Sequence, residues 1–230
     1  MADTICNMKR MITVTTILPI LLLLQAACAS PKWVEISELR PTQMTIGIVA
    51  MRDKIKKIES KDQRGKLKKY LIKKSAPAII GPDKKYYITD RHHTSRAVLE
   101  SRVESKKFVV DIKDDWSDMS FSQFYQNMIK RGYLYLYYMG EGPLDPEKLP
   151  KSIGEIEDDP YRSLSWMVRE EGGYKKVNVS YLEFLWADYL RKKINMRLGD
   201  EIELKKVLPL ALKAVRSKDA AHLPGYLGQK

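Results

Sequence analysis

The chain is expected to fold as an α/β core carrying an aromatic-rich, mainly helical C-terminal extension. Three observations predict this. Short β-branched or aromatic runs alternate with basic amphipathic stretches up to about residue 115. The run Tyr86-Tyr87-Ile88-Thr89 breaks into a polar turn and then an Arg/Ala/Val/Leu stretch, a strand–turn–helix pattern. After residue 115 the composition shifts to aromatic residues at helical spacing, so a core at 31–115 and an extension at 116–230 are expected to pack on each other.

In chain order, Trp33 to Leu39 alternates as a first or edge strand and turns at Arg40-Pro41-Thr42-Gln43. Gly47 to Met51 is short and apolar. Arg52 to Lys74 carries eleven Lys/Arg against three acids, with Ile55, Ile58, Leu67, Leu71 and Ile72 as apolar positions. That spacing predicts two amphipathic helices split near Asp62 to Gly65. Their basic face suits either simple solvation or an anionic partner, nucleic acid or lipid. Ala76 to Ile80 and Lys84 to Ile88 read as a hairpin around Gly81-Pro82-Asp83. A helix follows from about His92 to Glu100, and Phe108 to Ile112 is another strand. Beyond it, Ser120 to Lys130 reads as a helix, Gly140 to Pro150 as a loop, and Asp158 to Leu164 as a helix entry. Tyr181 to Arg191 places Tyr181, Phe184, Leu185, Trp186, Tyr189 and Leu190 at helical spacing, which predicts core packing. A basic helix from about Glu203 to Lys218 ends the chain before His222-Leu223-Pro224-Gly225-Tyr226.

The length of 230 residues is ample for a hydrophobic core, and 44% hydrophobic with 30% charged residues argues against wholesale disorder. Lys9-Arg10, the apolar block Ile17 to Leu24 and the small residues Ala27-Cys28-Ala29 form a basic region, a short hydrophobic region and a cleavage pattern. Residues 1–29 are therefore expected to be a secretory signal, which implies a periplasmic or secreted protein without a membrane-spanning domain in its mature chain. Cys28 also resembles a lipoprotein acceptor, so lipid anchoring is the alternative. No cysteine follows Cys28. The mature chain thus lacks disulfides, thiolate nucleophiles and cysteine metal sites.

The chemistry concentrates in Asp90-Arg91-His92-His93-Thr94-Ser95-Arg96, which holds two of the three histidines. Histidines and arginines beside the free N–H groups of a helix start suit an anion, and a phosphate-containing ligand is the first hypothesis. Structural use and metal ligation are the alternatives, although no H-E-x-x-H or comparable spacing supports a metal site. Candidate ligand-binding residues are Arg91, His92, His93, Thr94 and Arg96. Candidate catalytic residues are Asp90, His92 and His93. Three activities fit these residues. A nucleotide, with a divalent cation, would be held by Arg91 or Arg96 for phosphoryl transfer, with Glu35 or Glu38 as acids. A nuclease would use His92 or His93 as general acid/base aided by Asp90. A non-catalytic exported module would use the same surface only to bind a phosphorylated molecule or nucleic acid.

On Asp90 to Ala97, the chain resembles the ParB/sulfiredoxin superfamily, in its subgroup of ParB-like nucleases. The resemblance extends to Leu39-Arg40-Pro41-Thr42-Gln43, Asp159-Pro160-Tyr161-Arg162-Ser163-Leu164, Phe184-Leu185-Trp186-Ala187-Asp188 and His222 to Tyr226, and so covers nearly all of residues 33–227. It implies a turn at a helix start that binds nucleotide phosphates. Asp90 stands where glycine is usual, His92 matches the histidine, and His93 replaces an arginine. Sulfiredoxin's cysteine would fall at Arg91, which removes that activity. No helix-turn-helix follows the motif, which argues against centromere binding.

Overall fold

The computed structural model describes residues 31–228; the expected signal, residues 1–29 with Cys28, lies outside them. Five strands form the main sheet: β1 (Lys32–Glu35), β2 (Leu39–Pro41), β4 (Ala76–Ile80), β5 (Tyr86–Ile88) and β6 (Lys107–Asp115), in the order β1-β6-β4-β5-β2. A further pair, β3 (Thr45–Ile46) and β7 (Glu157–Asp158), runs parallel. The helices are α1 (Ile48–Gln63), α2 (Leu67–Ile72), α3 (His92–Glu100), α4 (Phe121–Lys130), α5 (Pro160–Glu170), α6 (Leu182–Lys193) and α7 (Glu201–Ala214). None of the helices among the described residues is long and apolar enough to cross a membrane.

The stretch expected as one strand, Trp33 to Leu39, is two. A single 3-10 turn, Ile36–Glu38, separates β1 from β2, and the two occupy opposite edges of the sheet. Laid flat, those edges would lie four strand spacings apart, on the order of 19 Å. One 3-10 turn rises only about 6 Å. The sheet must therefore curl until its edges nearly meet. Ile36 and Leu39 point into the enclosed core beside Phe108, Val110 and Ile88, all buried.

The basic helices form where expected, broken at Arg64 to Lys66, although α1 begins earlier, at Ile48. Its inner face, Met51 and Ile58, packs with Val98 of α3 on the sheet. On the other side Phe124 and Met128 of α4 pack on Ile79, Tyr87 and Trp116. The C-terminal helices hold a core of their own around Leu164, Val168, Trp186, Leu190, Leu204 and Val215. The aromatic stripe of α6 is core as expected, with Trp186 fully buried and stacked on Tyr174 at 4.5 Å, while Leu185 is exposed.

Core and extension meet at the start of α1. Gly47 precedes this helix and provides no cap of its own. Instead, three successive amides are satisfied from distant segments. Gly47 N–H donates to His93 Nε2 (3.1 Å), Ile48 N–H to Asp158 Oδ1 (2.8 Å) and Val49 N–H to Ser163 Oγ (3.2 Å). The approach is so close that a Cβ on Gly47 would lie 2.6 Å from Ser163 Oγ and 2.7 Å from the Ser163 backbone nitrogen.

A second clamp fixes the open end of the sheet. His92 is buried, and its Nε2 accepts the Thr42 N–H (3.1 Å) just beyond β2, while the Thr42 hydroxyl donates to the carbonyl of Ile88 at the end of β5 (2.8 Å). Accepting at Nε2 places the imidazole proton on Nδ1. Burial pushes the His92 pKa down to about 4, against the opposing pull of Asp90 and of the Ile88 backbone.

Two outcomes follow from these clamps. Gly47→Ala is expected to cost about 1–3 kcal/mol in urea unfolding, because the colliding atoms are backbone as well as side chain. Because the folded state resists protonation of His92, the unfolded chain takes up the proton first as the solution is acidified. The contribution of a neutral His92 is whole above its ordinary pKa of 6.5 and is lost between there and about pH 4. The difference amounts to roughly 3 kcal/mol. His92→Gln, which keeps an acceptor but cannot titrate, should flatten the fall in urea midpoint across that window. Identical profiles for the two proteins would refute the assignment.

Candidate functional site

The turn between β5 and α3 is built by Asp90 and Arg91. Arg91 adopts a left-handed conformation with φ of 72°, which costs a non-glycine residue roughly 1 kcal/mol. Asp90 holds it there: its Oδ1 accepts the Arg91 N–H (2.6 Å) and its Oδ2 lies 3.5 Å from the Arg91 guanidinium. The sharp entry lets both Thr94 and Ser95 N–H groups donate to the Arg91 carbonyl at 2.9 Å. The amides of His92 and His93 find no acceptor among the described residues. The positive end of α3 is thus left open, and Asp90, Arg91, His92, His93 and Thr94 all line one cavity of about 580 Å3.

The other walls include Gln43, Gly132 and Tyr133 and three charged or aromatic stretches. α1 contributes Lys54, α5 contributes Arg162, Trp166 and Arg169, and the segment from Lys176 to Phe184 closes the extension side. Five cationic side chains, Lys54, Arg91, Arg162, Arg169 and Lys176, face the cavity with only two carboxylates, Asp90 and Glu183. Glu183 is shared, its Oε1 contacting Arg169 Nη1 and its Oε2 lying 3.7 Å from Arg162 Nη2. Arg162 lies 5.2 Å from the centre of the Phe184 ring, which stacks in turn on Tyr135 at 4.1 Å. The Nε and Nη1 atoms of Arg162 are buried without a hydrogen-bond partner, and burial lowers its pKa to about 10. Tyr181 supports the rim, its hydroxyl donating to the Gly132 carbonyl (3.1 Å).

His93 is the more exposed of the two histidines and sits nearer these cations. Its Nε2 is taken by Gly47, so its proton also resides on Nδ1. Burial, followed by the charges of Arg162 and Lys54, holds its pKa well below the ordinary value. Both imidazoles are therefore neutral near pH 7, and each spends its Nε2 lone pair on a backbone amide.

The structure brings together five of the six candidate residues and leaves out Arg96. Arg96 Nη1 donates to the carbonyls of Ile153 (3.0 Å), Gly154 (2.7 Å) and Ile156 (3.1 Å), and its Nε contacts Glu100, so it ties α3 to the 150s loop. The two acids considered for phosphoryl transfer also lie elsewhere: Glu35 pairs with Lys107 at 3.4 Å and Glu38 with Lys85 at 2.7 Å. Among the described residues no group of three or more His, Cys, Asp or Glu is arranged to hold a metal ion.

Sequence reasoning did not single out Arg162, Arg169, Lys176 or Glu183 as site residues. A signal existed for two of them. Arg162, Trp166 and Arg169 stand at i, i+4 and i+7, a polar and aromatic stripe opposite the buried Leu164 and Val168. Lys54 was hidden among eleven basic residues. Nothing local marks Lys176.

A family model described as "Putative ParB-like nuclease" matches residues 32–192. A search of curated proteins returns no match. Among solved structures, protein Atu1540 from Agrobacterium tumefaciens is similar with a TM-score of 0.74 and 30% identity, over 87% of this chain and 99% of that one. Matched through most of its length by sequence and fold together, the chain belongs to the ParB-like nuclease family.

Proposed function

We propose that the cavity binds a phosphate-bearing molecule of about nucleotide size. One observation carries this reading: five cationic side chains, Lys54, Arg91, Arg162, Arg169 and Lys176, line the cavity against only two carboxylates. That excess of positive charge in a partly enclosed cleft favours an anionic ligand. Phosphate oxygens would take the open amides of His92 and His93, beside the positive charges of Arg162 and Arg169. Trp166 and Tyr181 offer ring faces for an aromatic portion of the ligand.

The same geometry favours binding over phosphodiester cleavage as the core activity. A general base needs a free lone pair, and both histidine Nε2 atoms are occupied by backbone donors. Asp90 is committed to the turn, and Glu183 to two arginines. In this reading His92 and Asp90 shape the site, while His93 offers an Nδ1–H donor. With the signal expected at residues 1–29, the ligand would be met in the periplasm or outside the cell.

The reading makes separate predictions for stability and binding. Pyrophosphate and nucleoside diphosphates should raise the Tm of the wild-type protein, with the gain shrinking as salt is added. Arg162→Met should change the stability of the ligand-free protein little, because it removes two buried unpartnered nitrogens together with the long ion pair to Glu183. It should weaken pyrophosphate binding by roughly 2 kcal/mol, about thirtyfold in Kd by calorimetry. A variant that binds pyrophosphate as well as wild type would overturn the proposal.

A further inference from the structure

Lys54 stands apart from the other cations of the cavity. It lies on α1 one turn beyond Ala50, and both residues line the wall facing α5. The nearby acids are engaged by other partners: Asp53 lies 3.7 Å from Lys56, Asp90 holds Arg91, and Glu183 lies between Arg169 and Arg162. The charges that act on Lys54 are all positive, coming from Lys57 on its own helix, Lys74 after α2, Arg91 before α3 and Arg162 on α5. The neighbouring imidazole of His93 is neutral and lends no negative charge. Partial burial and these four cations together lower the Lys54 pKa. Arginine does not yield its proton under such pressure, whereas lysine does. A lysine that lines the cavity with no carboxylate paired to it, its proton loosened by burial and neighbouring cations, is a candidate nucleophile.

Resting on the phosphate-cavity reading, we propose that Lys54 is the reactive amine of this site and that its ligands are phosphorylated aldehydes or ketones. The phosphate would sit at the α3 start beside the α5 arginines and bring the carbonyl carbon to α1. The Lys54 nitrogen then adds through its lone pair to that carbon, and the C=O electron pair moves to oxygen. Two protons pass from nitrogen to this oxygen, it leaves as water, and a C=N bond remains. The step is a reversible condensation with no net oxidation or reduction. Anchoring the phosphate makes the addition effectively intramolecular, which favours Lys54 over lysines exposed to solvent.

The test is to incubate the full chain with pyridoxal phosphate, reduce any imine with cyanoborohydride and map the adducts by peptide mass spectrometry. The label should concentrate at Lys54, fall when pyrophosphate competes, and stay low with pyridoxal, which lacks the phosphate. Lys54→Met and the charge-preserving Lys54→Arg should both lose the adduct while keeping a cooperative melting transition. Label scattered over surface lysines, or equal labelling by pyridoxal, would overturn the amine assignment. A pyrophosphate-induced Tm rise in the same preparation separates the two ideas. A rise without a Lys54 adduct removes only the amine chemistry, whereas no rise removes the phosphate cavity beneath it.

Discussion

The arrangement depends on three consecutive backbone amides, those of Gly47, Ile48 and Val49. A helix start leaves its first N–H groups without partners, and burying them unpaired is costly. Here the acceptors come from α3, β7 and α5, all far from α1 in sequence. Satisfying α1 therefore requires the core and the extension to dock in one position, and that position sets α5 opposite α1 with the cavity between them. The start of α1 is filled by the protein's own side chains. The start of α3 is not, and its first amides stay open toward the cavity.

Sheet curvature supplies the other half of the constraint. Because only Ile36–Glu38 join the two sheet edges, β2 is brought beside β5, and Thr42 falls within reach of His92. The clamp fixes the α3 start in position and in direction. Past β6 the described residues are mainly helical: α5, α6 and α7 pack around a core of their own, while α4, Ile153 and Ile156 pack with the sheet. The site ignores that shift. Arg162, Arg169 and Glu183 belong to one side of it, Lys54 and the α3 turn to the other. Neither segment alone makes the concentration of charge that gives the cavity its character.

What was legible in the sequence was local. The β4–β5 hairpin, the α3 start at His92, the split between α1 and α2 and the helix α4 rest on neighbouring residues and stand where the pattern put them. The two-residue strands β3 and β7 escaped because so short a run carries no period. The curl escaped because one strand pattern cannot show that its two halves pair with opposite edges. At the site, the motif was found but the use of each side chain was not. His92 is turned toward Thr42 and Arg96 toward three carbonyls of the 150s loop, partners fixed only by tertiary contact. A motif identifies the backbone turn more securely than it identifies where its side chains point.

That distinction bears on how the site is held open. A cavity with five cations would repel itself if its walls were mobile, since like charges in partial burial reinforce one another. The structure meets this with few acids. Glu183 joins the two α5 arginines, Phe184 lies against the Arg162 guanidinium, and Asp90 secures Arg91 in its left-handed turn. None of these contacts neutralises the cavity; each fixes where a cation sits. Full neutralisation by additional carboxylates would stabilise the fold and close the site to anions. The unpartnered nitrogens of Arg162 belong to that compromise, a local loss of stability at the wall of a cation-rich cavity.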